Sequence, residues 1–184
     1  MTDPSEHASD VLAAVDVGTN SLHLVVARVL PNRRFEVLAS EKEVVRLGSG
    51  SGDMKQLSPA AIERGVACLA RFRQMAEVFG AQLRAVATSA VREAENAAEF
   101  LAACRRDAGV DVEVVSGVEE ARLIHLGVLQ ALPVYDRQLL LIDIGGGSTE
   151  FLVGKGGEML WARSLKLGAI RLTDRFFPDG RVSS

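Results

Sequence analysis

The stretch that most constrains the fold is LLLIDIGGGSTEFLVG at residues 139–154, where apolar runs flank a glycine-rich centre. The aliphatic run Leu139–Ile144 predicts a strand buried on both faces, and Phe151–Val153 predicts the start of a returning strand. Gly145, Gly146 and Gly147 lack Cβ atoms, so their backbone N–H groups can approach an anion closely. The stretch therefore predicts strand, turn, strand, with an anion-binding turn.

Polar residues in this stretch indicate which ligand the turn could hold. Ser148 and Thr149 add hydroxyl donors, while Asp143 and Glu150 place one carboxylate on each side of the turn. Two carboxylates beside a phosphate are electrostatically reasonable only when a hard cation such as Mg²⁺ lies between them. The residues favour a metal–phosphate site, and the alternative is a glycine-rich β-hairpin with two solvated acids.

The same pattern occurs near the start of the chain, in LAAVDVGTNSLHLVVARVL at residues 12–30. The two stretches align without a gap, and the pairs fall on the acid, the turn glycine and the hydroxyl: Asp16 with Asp143, Gly18 with Gly145, and Ser21 with Ser148. His23 stands where the second copy has Glu150. This internal duplication predicts two similar hairpins.

Strands and helices alternate through the rest of the chain. The order is three strands, helix, strand, helix, strand, helix and three strands again, which predicts an α/β protein. We expect a first βββαβαβα lobe at residues 11–133 and the beginning of a second lobe at residues 134–184. Residues 1–10 are polar and are expected to form a disordered tail.

Short local patterns predict where the helices begin. Capping residues are predicted at three helix starts: Ser58, Asn96 and Ser116. The helix after Ser116 is expected to bury Leu123 and Leu126, and Thr88–Glu93 is predicted to be a loop.

Three segments are expected to converge on one cleft, because α/β folds bind ligands at the carboxyl ends of parallel strands. These segments are the first turn Gly18–Ser21, the second turn Gly145–Thr149, and Thr88–Arg92. Thr88, Ser89 and Arg92 resemble an anion clamp, since an arginine fork and hydroxyl donors suit phosphate oxygens. The alternative for Arg92 is a surface arginine that leads into a helix.

Two adjacent glutamates have different predicted roles. Glu119 follows Ser116 by three positions, so helix capping explains it. Glu120 lacks such a role and lies in the first helical turn, where the helix dipole favours an anion. Its carboxylate could orient and deprotonate a water beside a bound phosphate, and the alternative is a solvated acid at a helix start.

Composition narrows the classes of function. A hydrophobic content of 48% over 184 residues can bury a core, and a net charge of −3 offers no broad basic face for nucleic acid or anionic lipid. The sequence has no membrane-length apolar run and no secretory signal pattern, so we expect a cytoplasmic protein. Cys68 and Cys104 lie in helical patterns and are expected to be small buried side chains.

Five ordered motifs resemble the Ppx/GppA family, which comprises bacterial exopolyphosphatases and guanosine pentaphosphate phosphohydrolases. They are AAVDVGTNSLHLVVARV, ATSAVREAENAAEFL, VVSGVEEARLIHLGV, LLIDIGGGSTEFLVG and LGAIRLTDRFF. The resemblance implies an actin-like ATPase fold, the sugar kinase/heat-shock/actin and ribonuclease H-like architecture, with two lobes around a phosphate cleft. It also implies Mg²⁺-dependent or Mn²⁺-dependent release of terminal phosphate from inorganic polyphosphate or guanosine pentaphosphate.

The resemblance also implies roles for individual residues. Glu120 would be the general base, Asp143 and Glu150 the metal ligands, and Arg92 a phosphate-binding arginine. The phosphate loop would be Gly145, Gly146, Gly147, Ser148 and Thr149. The opposite wall would be formed by Asp16, Gly18, Thr19, Asn20 and Ser21.

The resemblance further implies a longer protein, so we expect this chain to stop within its second lobe. The strands of that lobe would then have an exposed edge, able to pair with a second copy in a homodimer. Two alternatives to hydrolysis stay open from the sequence. One is a module that binds polyphosphate, guanosine pentaphosphate or guanosine tetraphosphate without turnover, and the other is an ATP-dependent kinase of the same superfamily.

Overall fold

A computed structural model describes residues 10–31, 34–48 and 55–177, within which the strands form two sheets. Sheet A contains five strands: β1 (Val11–Val17), β2 (Ser21–Val29), β3 (Phe35–Val44), β4 (Gln82–Ala87) and β5 (Val112–Val114). Sheet B contains three strands: β6 (Gln138–Ile144), β7 (Thr149–Lys155) and β8 (Glu158–Leu165). Residues 1–9 of the predicted tail and the last seven positions, 178–184, lie outside the described residues.

Five α-helices connect or follow the described strands. They are α1 (Pro59–Val78), α2 (Ser89–Glu93), α3 (Ala97–Ala103), α4 (Gly117–Ala131) and α5 (Ala169–Phe176), and a π-helical turn at Cys104–Ala108 extends α3. The order of elements matches the predicted α/β order, except that α2 occupies the segment predicted as a loop. None of the described helices is both long and apolar enough to span a bilayer.

Sheet A owes its core to the period-two pattern of its strands. In β1, Ala13, Val15 and Val17 are buried beneath the helices, while Asp16 lies on the opposite face. The strand order is β3-β2-β1-β4-β5, and β4 lies between β1 and β5 and runs parallel to both. Their carboxyl ends therefore lie at one edge of the sheet, where the chain continues into the first turn, α2 and α4.

Local capping explains some helix starts and fails at another. The hydroxyl of Ser58 accepts a hydrogen bond from the N–H of Ala61 at 3.2 Å, as the sequence predicts. Asn96 is the N-cap residue of α3, as predicted, but its side chain makes no capping hydrogen bond and binds the backbone of Leu57 instead. Its amide oxygen accepts from the Leu57 N–H at 2.9 Å, and its amide nitrogen donates to the Leu57 carbonyl at 3.0 Å.

Helix α4 packs on sheet B through the face that carries Ala121 and His125 rather than through its leucines. Ala121 and His125 are buried, whereas Leu123 and Leu126 are each 37% exposed, so the predicted burial of these leucines is wrong. A Cβ atom at Gly154 of β7 would lie 2.7 Å from Nε2 of His125. The close approach of α4 to this glycine therefore determines which helical face is buried.

Strand β6 is more exposed than its sequence predicts. Leu140, Ile142 and Ile144 are 63%, 54% and 70% exposed, so the prediction of burial on both faces is wrong. The strand order is β6-β7-β8, which leaves β6 at an edge of sheet B. Helix α4 packs on the face that carries the buried Leu152, and the described residues leave the other face uncovered.

Both cysteines have the buried positions that the sequence predicts. Burial raises the pKa of Cys68 to about 11 and the pKa of Cys104 to about 12. Neither thiol is therefore ionised near neutral pH, and neither has the character of a nucleophile.

Candidate active site

The two glycine turns have the same geometry. The N–H of Gly18 donates to the carbonyl of Ser21 at 3.1 Å, and the N–H of Gly145 donates to the carbonyl of Ser148 at 2.9 Å. The strand registers also correspond, since Asp16 pairs with His23 in the first hairpin as Asp143 pairs with Glu150 in the second. The gap-free alignment therefore predicted two hairpins of the same register correctly.

The two turns lie directly against each other. A Cβ atom at Gly147 would lie 2.5 Å from Oγ of Ser89 and 2.7 Å from Oγ1 of Thr19. A Cβ atom at Gly146 would lie 3.1 Å from Cβ of Thr19. The second turn therefore needs glycine because the first turn and α2 occupy the space that side chains would fill.

A cavity of about 370 Å³ opens between the turns, and most of the predicted site residues line it. Its predicted lining residues are Asp16, Gly18, Thr19, Asn20, Ser21, Thr88, Ser89, Glu120, Asp143, Gly145, Gly146, Gly147 and Ser148. The sequence reasoning missed Lys42, which lines the same cavity from β3 and lies opposite His23 in the strand register. A lone lysine in an exposed strand gave no signal, because only the register brings it to the first turn.

The start of α5 holds the carbonyl groups of the second turn. The N–H groups of Ala169 and Ile170 donate to the carbonyls of Gly145 and Gly146 at 2.8 and 2.9 Å. Because the N–H and C=O of a trans peptide point in opposite directions, the N–H groups on the same peptide planes are directed away from α5. The second turn can thus present backbone donors to an anion in the cavity.

The segment that follows β3 holds the first turn in a different way. The carbonyl of Asn20 accepts from the N–H groups of Val45 and Arg46 at 3.1 and 2.8 Å, and the carbonyl of Thr19 accepts from Gly48 at 3.0 Å. Arg46 has a φ of 56°, in the left-handed region that non-glycine residues rarely adopt. This backbone strain lies directly beside the candidate site, where such strain is often found.

Glu120 lines the cavity from the first turn of α4. Its carboxylate accepts a hydrogen bond from Nη1 of Arg92 at 3.0 Å, and its side chain is 14% exposed. Burial and the nearby negative charges of Glu150 and Asp16 raise the pKa of Glu120 to about 7, against the lowering effect of Arg92. A carboxyl group with a pKa near neutrality can exchange protons at physiological pH.

Arg92 does not line the cavity between the turns. Its Nη1 atom donates to Glu120 and also to the carbonyl of Val115 at 2.9 Å. Its side chain borders a neighbouring cavity together with Lys55 and Lys166. A phosphate-binding role for Arg92 stays a prediction, whereas its contact with Glu120 is part of the site.

The start of α4 also approaches Glu150. A Cβ atom at Gly117 would lie 2.7 Å from Oγ of Ser164, so only glycine lets α4 begin this close to β8. Ser164 in turn donates to Oε1 of Glu150 at 2.7 Å, a contact that only the strand register could have predicted. Glu150 is 2% exposed, and its Oε2 has no hydrogen-bond partner among the described residues.

Thr149 has a structural contact instead of a position in the cavity. This residue is buried, and its hydroxyl donates to the carbonyl of Leu167 at 2.8 Å. The contact ties β7 to the chain segment that precedes α5. The position of Thr149 therefore does not support the prediction that it binds phosphate.

Several carboxylates interact electrostatically around the cavity. Burial raises the pKa of Asp16, and the charge of Asp143 raises it further, while His23 and Lys42 lower it. Glu120 is affected in the same way by Glu150. Negative charges that lie close together favour the binding of a cation.

The residues present fit a divalent cation, with part of its coordination supplied from elsewhere. In the described part of the chain, no three His, Cys, Asp or Glu residues are close enough to hold a metal ion by themselves. Mg²⁺ commonly uses one or two carboxylates together with waters and substrate phosphates. The unpartnered Oε2 of buried Glu150, with Asp143 opposite it in the register, matches that requirement.

Comparison with known proteins identifies the relatives of this arrangement. The sequence profile of the Ppx/GppA phosphatase family matches residues 25–184. An exopolyphosphatase from Cytophaga hutchinsonii is 36% identical with a TM-score of 0.86, and the match covers 91% of this chain and 54% of that one. A Ppx/GppA family member from Aquifex aeolicus is 31% identical with a TM-score of 0.78, again over 91% of this chain and 54% of that one.

A more distant match concerns the fold alone. MreB5 of Spiroplasma citri is 17% identical with a TM-score of 0.50, over 90% of this chain and 55% of that one. The predicted actin-like ATPase fold is therefore confirmed. The chain spans about half the length of the solved structures that it resembles. On the family profile and the two closer structures, the chain belongs to the Ppx/GppA phosphatase family.

Proposed function

We propose that the protein is a hydrolase of phosphoanhydride bonds, which releases terminal phosphate from inorganic polyphosphate, guanosine pentaphosphate or both. The observation that carries this proposal is the position of Glu120, a carboxyl group with a pKa of about 7, in the cavity between the two glycine turns. The family match and the exopolyphosphatase among the similar structures support polyphosphate as a substrate.

The terminal phosphoryl group would bind between the two turns. The amide groups of the second turn, together with the hydroxyls of Thr19 and Ser89, would donate hydrogen bonds to its oxygens. Lys42 would add a positive charge from sheet A. These donors are fixed by strands and helices, so they require little rearrangement to stabilise the negative charge of the transition state.

Glu120 would act as the general base. Its ionised carboxylate would accept a proton from a water as the water oxygen forms a bond to the terminal phosphorus. The bond from that phosphorus to the bridging oxygen breaks, and the leaving group is the polyphosphate chain or nucleotide shortened by one phosphate. Arg92 would keep the Glu120 carboxylate oriented and would favour its ionised form.

Asp143 and Glu150 would hold a Mg²⁺ or Mn²⁺ ion. When bound, such a cation would neutralise part of the charge on the phosphate oxygens. Ser164 would orient the Glu150 carboxylate by its hydrogen bond to Oε1, leaving Oε2 available. This division of labour gives the two buried oxygens of Glu150 different partners.

The decisive experiment substitutes one of two adjacent glutamates. Glu120→Gln removes the base while keeping a side chain that can accept from Arg92, and should lower the rate of phosphate release by about 10²-fold or more. Glu119→Gln is the matched control, because Glu119 is paired with Arg122 on the outside of α4 and should leave the rate unchanged. Phosphate release would be measured with polyphosphate and guanosine pentaphosphate on the intact protein.

The same assay separates hydrolysis from its alternatives. Tight binding of either substrate by calorimetry without any phosphate release would indicate a binding module. Transfer of the labelled γ-phosphate of ATP to a sugar or an acid would indicate a kinase. A Glu120→Gln protein as active as the unmodified one would refute the assigned base.

A further inference from the structure

The structure assigns a positioning role to a buried ion pair outside the cavity, formed by Arg171 of α5 and Glu93 of α2. We propose that Arg171, held by Glu93, fixes the second glycine turn against α2 and so sets the position of the turn's backbone donors. The inference rests on the proposed function for its kinetic consequence. Its structural consequence can be measured independently.

Arg171 connects the second turn to a distant part of the sequence. Its Nε donates to the carbonyl of Gly147 at 2.9 Å, and its Nη2 donates to Oε1 of Glu93 at 3.0 Å. The residue is only 8% exposed, and the Glu93 side chain is 14% exposed. The planar guanidinium is suited to such a task, because its donors have fixed relative directions.

Glu93 completes a closed set of contacts around the second turn. Its Oε1 also accepts a hydrogen bond from the hydroxyl of Ser89 at 3.0 Å. Ser89 is the residue whose Oγ would lie 2.5 Å from a Cβ atom at Gly147. Glu93 therefore links Arg171, which binds the Gly147 carbonyl, to Ser89, which lies directly against Gly147.

The ionisation of Glu93 is consistent with this arrangement. Burial acts to raise its pKa, but hydrogen bonds from Lys166 and Ser89 and the charge of Arg171 hold the pKa below its ordinary value. Glu93 thus stays a carboxylate near neutral pH, able to accept all of its hydrogen bonds. Removing one partner of a buried pair leaves the other charge poorly compensated, so the geometry should change locally.

Lys166 provides a matched control. Its Nζ lies 2.6 Å from Oε2 of Glu93, but its side chain is 71% exposed, and the structure gives it no hydrogen bond to the second turn. Because the ammonium group of Lys166 is solvent-exposed, its ion pair with Glu93 should contribute less than the pair formed by buried Arg171. If Arg171 matters because it positions the turn, Lys166→Ala should have almost no effect although it removes a charge from the same carboxylate.

The test compares Arg171→Met, Arg171→Lys, Glu93→Gln and Lys166→Ala in the intact protein. Hydrogen exchange by mass spectrometry would follow the backbone amides of residues 145–149 and 168–172. In the Arg171 variants the amide hydrogens of these segments should exchange roughly tenfold faster or more. The helices that pack on sheet A should stay protected. Arg171→Lys serves where Arg171→Met does not fold, since lysine keeps the charge but cannot reproduce the two directed contacts.

Kinetics provide the second measurement. Arg171→Met should lower kcat/KM for polyphosphate by about 10²-fold, because a displacement near 1 Å at the reacting centre has that effect. Combining it with Glu93→Gln should add little further loss, since both act through one contact. Lys166→Ala should remain within about twofold of the unmodified protein.

The outcomes separate the two proposals. Unchanged exchange at residues 145–149 in both Arg171 variants would overturn the positioning role, whatever the activity. Exchange that is equally fast in Lys166→Ala would also overturn it. The unmodified protein could release no phosphate while the Arg171 variants still show the localised increase in exchange. That result would refute the proposed function and support the positioning role.

Discussion

The two glycine turns have one sequence pattern and one hydrogen-bond geometry, yet different surroundings support them. The first turn is held by the residues after β3, which include the strained Arg46, and the second is held by the start of α5. The first turn carries Thr19 and Asn20 where the second carries Gly146 and Gly147. Thr19 fills the space that the two glycines leave open.

This difference shows that the duplicated hairpins are complementary. The first turn supplies side chains. The second turn supplies backbone groups and the space that those side chains occupy. The strand pairs beside the turns also differ, since Asp16 faces a histidine while Asp143 faces Glu150. The duplication thus gives one hairpin with two carboxylates that face each other and one hairpin with a single carboxylate.

The largest expected effect comes from placing a side chain in the second turn. Gly147→Ala would bring a Cβ atom against both Ser89 and Thr19, so the turns would have to separate. Because a shift near 1 Å can cost about 10²-fold, we expect kcat/KM for polyphosphate to fall by about that factor. Steady-state kinetics on the intact protein would measure the loss.

A glycine elsewhere provides the control for this substitution. A Cβ atom at Gly127 of α4 meets nothing within 4 Å, so Gly127→Ala should raise stability by up to about 1 kcal/mol through helix propensity. Its activity should be unchanged. An active Gly147→Ala protein would show that the turns are not in functional contact.

A smaller effect should separate the two hairpins by their response to metal. Glu150→Gln should raise the Mg²⁺ concentration needed for half-maximal activity roughly tenfold or more, because it weakens a carboxylate ligand. The aligned residue of the first hairpin is His23, whose exposed ring contacts Ser40, so His23→Gln should leave the Mg²⁺ dependence unchanged. Equal shifts in the two metal titrations would contradict the assignment of the cation to the second hairpin.

The smallest effect should be on the pH dependence of activity, which should depend on Glu120 of α4 and not on a residue of either turn. Glu120 must be ionised to act as a base, so kcat/KM should fall about tenfold per pH unit as the pH drops below its pKa of about 7. Arg92→Leu removes a hydrogen bond that lowers this pKa, so the acidic limb should move to higher pH. A pH–rate profile that stays in place in Arg92→Leu would exclude Glu120 as the titrating group.

The raised pKa of Glu120 should affect stability in the opposite direction to activity. Lowering the pH reduces the expected rate but stabilises the folded protein. Because the folded pKa of Glu120 lies above its ordinary value of 4.5, the folded protein binds this proton more tightly than the unfolded chain. This contribution to stability is present below pH 4.5 and is lost as the pH rises toward 7. The Glu120→Gln variant should therefore lose less stability over that pH interval than the unmodified protein, as measured by thermal unfolding.

Features that depend on neighbours in sequence could be predicted. The turns at Gly18 and Gly145 and the cap at Ser58 follow from residues within a few positions of each other. Their geometry is local, so the pattern of residue types was sufficient. The distinction between Glu119 and Glu120 was also predictable, because capping accounts for only one of them.

Features that depend on contacts between residues distant in sequence could not be predicted. The pattern at Asn96 located the N-cap of α3, but it did not predict that the side chain binds Leu57, 39 positions away. The apolar sequence of β6 gives no information on which of its faces is covered. Arg171 lies within one of the motifs that resemble the family, but its partner Glu93 is 78 positions away, and only the folded chain brings them together.

The backbone contact between Gly168 and the second turn restricts how the chain could vary in length. A Cβ atom at Gly168 would overlap the backbone of Gly146 and Gly147, so the β8–α5 connection is packed directly on the turn. An insertion between Leu165 and Ala169 would displace the donors that orient the turn. In the β7–β8 connection, a Cβ atom at Gly156 or Gly157 would come no closer than 3.6 Å to the side chain of Tyr135, so a reporter peptide is better inserted there.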